Sequence, residues 1–334
     1  MVSDDPEYYI EGVLNKDKRI IAKAITLIES ALPLHQKIAR NVLNALLPRT
    51  GRAIRLGISG VPGAGKSTFI ESLGTLLVNQ GHTVAVLAVD PSSQRSGGSV
   101  LADKTRMEKL STAKNAFIRP SPSGGTLGGV ARKTRETMLI CEAAAYDVLI
   151  VETVGVGQSE SAVASMVDFF LLLLIAGAGD EIQGIKKGVL EMADAIAINK
   201  ADGDNIQRAE FARKQYATAL HYLVPSSPAW SVKVLTCSSL DPENKGIQDI
   251  WQTVLDHREK FTRSGLLEKK RRRQALDWMW ALVEEGLKDR FKKNRSVMEQ
   301  LPGVIKAVDT GRMAPTAAAE KLLFSLDNGR TVSP

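Results

Sequence analysis

A series of short hydrophobic runs between residues 55 and 235 constrains the fold more than any other feature. The runs are apolar throughout rather than alternating with polar residues, which indicates strands that are covered on both faces. Helical stretches separate them, and this arrangement favours βαβ units, an α/β fold and a mostly parallel sheet flanked by helices. The predicted strands are Arg55–Ser59, Val84–Val89, Ala116–Ile118, Asp147–Val151, Phe169–Ile175, Ala195–Ile198 and Val232–Leu235.

Helical stretches flank this region on both sides. Before it, residues 7–47 place apolar residues at helical spacing, and Pro33 separates a first helix from a second. After it, Ile247–Phe261 is predicted as one helix, and a charged helix is expected from Glu268 to about Lys293. The sequence therefore predicts three parts, an N-terminal helical extension (1–50), an α/β domain (51–262) and a C-terminal helical arm (263–334).

A glycine-rich segment after the first predicted strand fits the pattern GxxxxGK[ST] and precedes a helical stretch. That context is typical of the phosphate-binding loop of P-loop NTPases, whose glycines let backbone N–H groups point at phosphate oxygens. The dipole of the following helix favours the same negative charge. Lys66 is expected to reach the β- and γ-phosphates, and the Ser67 hydroxyl to ligate Mg²⁺. The predicted phosphate-binding residues are Gly60, Val61, Pro62, Gly63, Ala64, Gly65, Lys66, Ser67 and Thr68.

Acidic residues follow two of the predicted strands. Asp90 comes directly after Val84–Val89, and Glu152 after Asp147–Val151. A carboxylate at the carboxyl end of a parallel strand projects into the ligand crevice. Glu152 is expected to hold the metal, directly or through water, or to orient the attacking water. The predicted metal-binding residues are Ser67, Asp90, Asp103 and Glu152, and the predicted catalytic residues are Lys66, Glu152 and Asp90.

The run that ends in Asn199-Lys200-Ala201-Asp202 has the pattern NKxD. An Asp carboxylate at position 202 accepts two hydrogen bonds from the N1–H and N2–H₂ groups of guanine, and adenine lacks this pair of donors. A site built on required hydrogen bonds discriminates by ~10⁴-fold or more, so GTP and GDP are the expected nucleotides. The predicted base-binding residues are Asn199, Lys200 and Asp202, with Ser238, Ser239 and Leu240 as a loop whose N–H groups face the guanine O6.

Composition excludes several other classes of protein. The chain has only two cysteines and four histidines, and they do not have the spacing of a metal site. It also lacks the His-rich or Cys-rich tract that a metallochaperone for Ni²⁺ or Zn²⁺ needs. Aromatic residues are only 5%, so a nucleic-acid partner is not expected despite the net charge of +7. No apolar run approaches the roughly 20 residues of a membrane span. No signal-peptide pattern is seen, and a cytoplasmic location is expected.

Several longer motifs resemble the MeaB/ArgK/MMAA family, a branch of the metallochaperone-type GTPases. The resemblance covers nearly the whole chain and is weakest beyond about Lys270. The motifs that carry it are Asp90–Ser93, Gly97–Ser99, Asp103–Met107, Val151–Glu160 and Gly177–Gly188.

The resemblance implies a homodimeric GTPase chaperone of adenosylcobalamin-dependent methylmalonyl-CoA mutase, which gates cofactor loading and protects the mutase from inactivation. It also implies that Glu152 stands where more familiar GTPases have the Asp of DxxG. Gly177–Gly188 resembles a third mobile switch, with Gln183 and Lys186 as candidates for coupling to the partner. Dimerisation is expected through the C-terminal arm. Ser239 replaces the usual Ala of the guanine loop, a change expected to leave backbone donation intact.

The main hypothesis is Mg²⁺-dependent GTP hydrolysis used as a conformational switch. No arginine finger in cis is evident, so slow intrinsic turnover is expected, with the partner completing the site. The partner is methylmalonyl-CoA mutase or a close acyl-CoA mutase relative. Two alternatives stay open: a kinase or ATPase that acts on binding proteins for basic amino-acid transport, and a nucleotide-binding scaffold without a switch role.

Overall fold

Seven parallel strands form one sheet in the part of the chain that the structure describes. This computed structural model describes residues 3–89, 107–120, 127–153, 159–177, 187–220, 227–241, 243 and 246–328. The order of the strands is β3-β2-β4-β1-β5-β6-β7, and every neighbouring pair is parallel. The predicted α/β fold is confirmed. The strands are β1 Ile54–Gly60, β2 Val84–Val89, β3 Ala116–Arg119, β4 Val148–Thr153, β5 Phe169–Ile175, β6 Ala195–Asn199 and β7 Lys233–Thr236.

Helices precede, separate and follow the strands. Those before the sheet are α1 Pro6–Leu14, α2 Lys18–Glu29 and α3 Pro33–Leu46. Those between strands are α4 Lys66–Asn79, α5 Glu108–Thr112, α6 Leu127–Ala143, α7 Ser159–Ala164, α8 Lys187–Met192 and α9 Ile206–Leu220. Those after the sheet are α10 Ile247–Arg263, α11 Leu266–Lys293, α12 Arg295–Asp309 and α13 Pro315–Asn328.

The N-terminal region forms three helices, so the prediction of two was wrong. The additional break lies between α1 and α2, where Lys16 has a φ of 59°. Asp17 then begins α2, and its side chain accepts hydrogen bonds from the backbone N–H groups of Arg19 and Ile20. An Asp at this position satisfies donors that the first turn of a helix leaves without a partner.

Both faces of the sheet are covered, which explains why its strands are apolar throughout. Phe170 and Leu172 of β5 pack in one buried cluster with residues of α1, α2, α3 and α6. Leu171 and Leu173 of the same strand belong to a second cluster, with residues of α4 and α10. Successive side chains of a strand point to opposite faces. The N-terminal helices therefore share one core with the sheet.

The chain divides into two compact units. One extends to Glu268 and contains the sheet with the helices around it, and the other begins at Lys269. Within the second unit, α12 packs against α13, and Val297, Val304 and Ala318 are buried. The boundaries proposed from the sequence, 50/51 and 262/263, stay predictions. None of the described helices is long and apolar enough to cross a lipid bilayer.

A buried carboxylate anchors the start of β1 to α6. Glu142 is 5% exposed and accepts hydrogen bonds from Arg55 Nε at 2.7 Å and Arg55 Nη2 at 3.0 Å. It also accepts the backbone N–H of Gly51 at 2.6 Å. One side chain thus fixes the segment that leads from the N-terminal helices into the sheet.

We expect Glu142→Ala to lower the free energy of unfolding by about 2–4 kcal/mol, because it leaves the Arg55 guanidinium and the Gly51 N–H without their acceptor. Urea denaturation measures this loss. Glu259→Ala is the matched control, since Glu259 pairs with Arg263 on the surface of α10, and such pairs contribute about 0.5 kcal/mol or less. Equal losses in the two variants would contradict the anchoring role.

Candidate nucleotide-binding site

The glycine-rich loop runs from the end of β1 to the start of α4. Gly60, Gly63 and Gly65 all have positive φ angles, of 155°, 79° and 83°. At Gly60 a Cβ atom would lie 2.0 Å from the carbonyl oxygen of Leu173 in β5, a distance that no side chain tolerates. The loop can therefore leave β1 beside β5 only with glycine at this position. Its other end is the N-terminus of a helix of 14 residues, where anions bind favourably.

Lys66 holds a half-buried position at this loop. Its Nζ donates hydrogen bonds to the carbonyl oxygens of Gly60, at 2.8 Å, and Val61, at 3.3 Å. Burial lowers the pKa of the Lys66 ammonium, while the nearby carboxylates of Glu152 and Glu160 act in the opposite direction. The Lys66 ammonium thus lies close enough to the buried carboxylates of Glu152 and Glu160 to interact with both.

The Ser67 hydroxyl and the Glu152 carboxylate meet at the carboxyl edge of the sheet. Ser67 Oγ donates to Glu152 Oε1 at 3.1 Å, and Glu152 is 7% exposed. β4 presents Glu152 here because it pairs directly with β1. Hydroxyl and carboxylate oxygens are the ligands that Mg²⁺ prefers, so these two side chains fit a site for that ion. A buried hydrogen bond from Thr153 Oγ1 to Ser59 Oγ, 2.8 Å long, supports the same strand ends.

A second group of polar residues follows β6 and β7. Asn199 ends β6, and its Nδ2 donates to the carbonyl oxygen of Ala64 in the glycine-rich loop at 2.8 Å. Ser238, after β7, donates its hydroxyl to the Asp202 carboxylate. The backbone N–H of Ala201 donates to the carbonyl oxygen of Cys237 at 3.0 Å. The segments predicted to bind phosphate and base are therefore neighbours at one edge of the sheet.

The structure brings together most of the residues predicted from sequence. Ser67 contacts Glu152, and Ala64 contacts Asn199. Leu240 extends from the guanine loop with a largely exposed side chain. The side chain of Lys66 turns back onto the glycine-rich loop. The predictions on Asp90, Asp103, Gln183 and Lys186 lie outside the described residues.

Sequence reasoning passed over two residues that the structure places beside these groups. Glu160 is the second residue of α7, and its buried carboxylate acts to raise the pKa of the Lys66 ammonium. It stands within the motif Val151–Glu160, which is the signal in the sequence that could have identified it. Ser72 lies in α4 and donates its hydroxyl to the carbonyl oxygen of Ser239 at 2.7 Å. No pattern in the sequence indicates this second contact, because it joins positions 167 residues apart.

Comparisons of the sequence place these features among known proteins. The model of a family described as "Methylmalonyl Co-A mutase-associated GTPase MeaB" matches residues 21–296. A "Putative GTPase" of Caulobacter vibrioides is 56% identical over 307 residues, which cover 92% of this chain and 93% of that protein. "GTPase ArgK" of Escherichia coli is 48% identical over 306 residues, covering 92% of each chain. The "Methylmalonic aciduria type A homolog, mitochondrial" of Mus musculus is 44% identical over 336 residues, which cover 96% of this chain and 80% of that protein.

A solved structure is also similar over nearly its full length. It is described as "Crystal structure of LAO/AO transport system kinase", and the superposition has a TM-score of 0.78 at 41% sequence identity. The match covers 96% of this chain and 97% of that one. The chain thus shares the fold of that solved structure.

Two glycines of the loop provide a matched test of its packing. We expect Gly60→Ala to lower the free energy of unfolding by about 3 kcal/mol, because the added methyl group meets the Leu173 carbonyl in a backbone conformation that favours glycine. Gly63→Ala has no atom within 4 Å of the new Cβ, and its strain alone costs about 1–2 kcal/mol. Urea denaturation compares the two, and an equal or smaller loss for Gly60→Ala would contradict the close approach of β1 to β5.

Proposed function

The chain belongs to the MeaB family of GTPases, and we propose that it uses GTP hydrolysis to control an adenosylcobalamin-dependent methylmalonyl-CoA mutase or a close acyl-CoA mutase relative. In this role it gates loading of the cofactor and protects the mutase from inactivation. The observation that carries the proposal is the match to a mutase-associated family over residues 21–296. The similarity to the Mus musculus homologue over 96% of the chain supports it. The proposed location is the cytoplasm.

The proposed roles of the phosphate-binding residues rest on the pattern GxxxxGK[ST] and on the contact between Ser67 and Glu152. Lys66 and the N–H groups of the glycine-rich loop bind the β- and γ-phosphates of GTP. Ser67 and Glu152, joined at 3.1 Å, are the described side chains that would hold Mg²⁺, with Asp90 and Asp103 as further candidates. Mg²⁺ when bound neutralises charge on the phosphate oxygens. Glu152 is also placed to orient the water that attacks the γ-phosphorus.

The proposed roles of the base-binding residues rest on the pattern NKxD and on the hydrogen bond between Ser238 and Asp202. The Asp202 carboxylate accepts hydrogen bonds from the guanine N1–H and N2–H₂ groups, and the hydroxyl of Ser238 holds that carboxylate in place. Lys200 lays its stem along the plane of the base. The backbone N–H groups of residues 238–240 face the guanine O6. A site that requires these hydrogen bonds rejects adenine.

A second candidate function is suggested by one comparison. The similar solved structure is named a transport system kinase, which favours a kinase or ATPase acting on binding proteins for basic amino-acid transport. The two functions differ in where the γ-phosphate goes. Hydrolysis releases one inorganic phosphate for each GTP consumed, whereas a kinase leaves the phosphate on a protein.

We further propose that the chain forms a homodimer through α11. Five apolar side chains are exposed along this helix of 28 residues. Each lies three or four residues from another member of the set, and this spacing places them on one side of the helix. The same stripe on a second copy is a complementary surface, as in a two-fold interface. The stripe consists of Leu276, Met279, Trp280, Val283 and Leu287.

The mutase proposal predicts that purified methylmalonyl-CoA mutase accelerates GTP hydrolysis by about tenfold or more, because the partner completes a slow site. Phosphate release and GTP consumption are measured together, with and without the mutase. Lys66→Ala is expected to show no hydrolysis in either condition, since it removes the cation at the phosphates. The matched control is Lys260→Ala, an exposed lysine of α10, which should behave as the wild type.

Three outcomes would count against the mutase proposal. Hydrolysis that is not accelerated, together with mutase binding that does not depend on nucleotide, would favour the static scaffold. Labelled phosphate transferred from GTP or ATP to a transport binding protein would favour the kinase. Normal turnover by Lys66→Ala would refute the assignment of the phosphate site itself.

The dimer proposal predicts that Leu287→Glu shifts the protein from dimer to monomer in analytical ultracentrifugation, because a charge placed in the stripe cannot be buried without a partner. Lys288→Glu changes a neighbouring exposed residue outside the stripe and should remain dimeric. A monomeric wild-type protein at micromolar concentration would contradict the proposal.

A further inference from the structure

Asn199 is held by a set of hydrogen bonds that includes one unexpected donor. The side chain is 1% exposed, and its Nδ2 donates to the carbonyl oxygen of Ala64. Since a carbonyl only accepts, the amide oxygen must point the other way. There Asn199 Oδ1 accepts the hydroxyl of Ser239 at 2.8 Å and contacts Cys237 Sγ at 3.5 Å. The Ala64 carbonyl therefore fixes the orientation of the Asn199 amide, and the hydroxyl of Ser239 supplies the hydrogen bond that the buried amide oxygen needs.

The thiol of Cys237 is a poor substitute for this hydroxyl. Burial raises the pKa of Cys237 to about 12, so the group stays protonated and offers only a weak S–H donor. The sulfur also lies farther from the amide oxygen than Ser239 Oγ does, at 3.5 Å against 2.8 Å. Removing the Ser239 hydroxyl would leave a buried amide oxygen with this one weak contact, which is costly.

Ser239 makes a second contact, from its backbone, with the helix that follows the glycine-rich loop. Its carbonyl oxygen accepts the hydroxyl of Ser72 at 2.7 Å. Ser72 lies in α4, which begins at Lys66. A closed path therefore runs from Ala64 along the chain to Ser72, across to Ser239, on to Asn199 and back to Ala64. We call the residues Ala64, Ser72, Asn199 and Ser239 the loop clamp.

We propose that Ser239 is a positioning residue for the guanine nucleotide. Its hydroxyl and its backbone carbonyl together hold the guanine loop (Ser238, Ser239 and Leu240) and the glycine-rich loop at a fixed separation through the loop clamp. A nucleotide spans both loops, so their separation decides whether its base and its phosphates are bound at once. Loops that are fixed before binding lose less conformational entropy when the ligand arrives. In this proposal Ser239 contributes its hydroxyl and its backbone carbonyl, in addition to the backbone N–H that the proposed function assigns to the base.

The proposal predicts that Ser239→Ala raises the dissociation rate of a fluorescent N-methylanthraniloyl-GDP about fivefold, the loss expected for one neutral hydrogen bond. The KM for GTP should rise by a similar factor and by more than kcat changes, because the clamp acts on binding. Stopped-flow fluorescence measures the dissociation rate. The inference rests on the GTPase activity of the chain, and binding of the same probe by the wild type is measured first.

Four further variants separate positioning from a general structural effect. Ser325→Ala removes another buried hydroxyl, which donates within α13 to Lys321, and should leave the dissociation rate unchanged. Cys237→Ala should raise it less than twofold. Ser72→Ala should raise it in the same direction as Ser239→Ala, and the double variant Ser72→Ala/Ser239→Ala should fall short of the product of the two effects, since both break one closed path.

Each result either supports or overturns the clamp. A dissociation rate for Ser239→Ala within experimental error of the wild type would overturn it, as would an equal increase in Ser325→Ala. If Ser239→Ala does not fold, Ser72→Ala decides alone, and an unchanged rate in that variant overturns the proposal. Failure of the wild type to bind the probe would instead count against the nucleotide site as a whole.

Discussion

The course of the chain at Gly60 determines where the rest of the site lies. β1 has β4 on one side and β5 on the other, so the loop that leaves it emerges at the middle of the carboxyl edge. The loop can do so only because Gly60 lies against the Leu173 carbonyl without a side chain. From that position Ser67 reaches Glu152 on one side, and Ala64 meets Asn199 on the other. In open α/β sheets, ligands bind in the crevice at the carboxyl ends of the strands, at the point where the order of the strands reverses.

The candidate nucleotide-binding site consists of two halves with different chemistry, a proposed phosphate half and a proposed base half. The phosphate half concentrates charge, with Lys66 close to the buried carboxylates of Glu152 and Glu160. The base half depends on directional hydrogen bonds, in which serine hydroxyls hold the Asp202 carboxylate and the Asn199 amide. Charged groups give strength to the binding of a triphosphate, while fixed hydrogen bonds discriminate between bases. The bonds between the two halves make them one site.

The sequence predicted the sheet well because its signal is local. Continuous apolar runs identified all the strands of the described sheet to within a residue or two, and the rule for carboxyl ends placed Glu152 near the phosphate loop. The break between α1 and α2 was missed, since it depends on a positive φ at Lys16, a residue with no strong preference for that conformation. The sequence did not indicate the contact of Ser72 or the hydrogen bond from the Ser239 hydroxyl to Asn199. These residues are far apart in the chain, and only the packing of α4 beside the guanine loop brings Ser72 to Ser239.

The position of the N-terminal helices has a consequence for how the protein can be divided. Ile21 and Ile25 of α2 and Leu46 of α3 belong to the same buried cluster as Leu149 and Phe170 of the sheet, and both helices pack against α6. A chain shortened to begin at residue 51 would expose the apolar side chains of α6 that these helices cover, and an exposed apolar surface of that kind associates with other molecules. The first 50 residues thus belong to the hydrophobic core of the nucleotide-binding unit, and removing them removes part of that core.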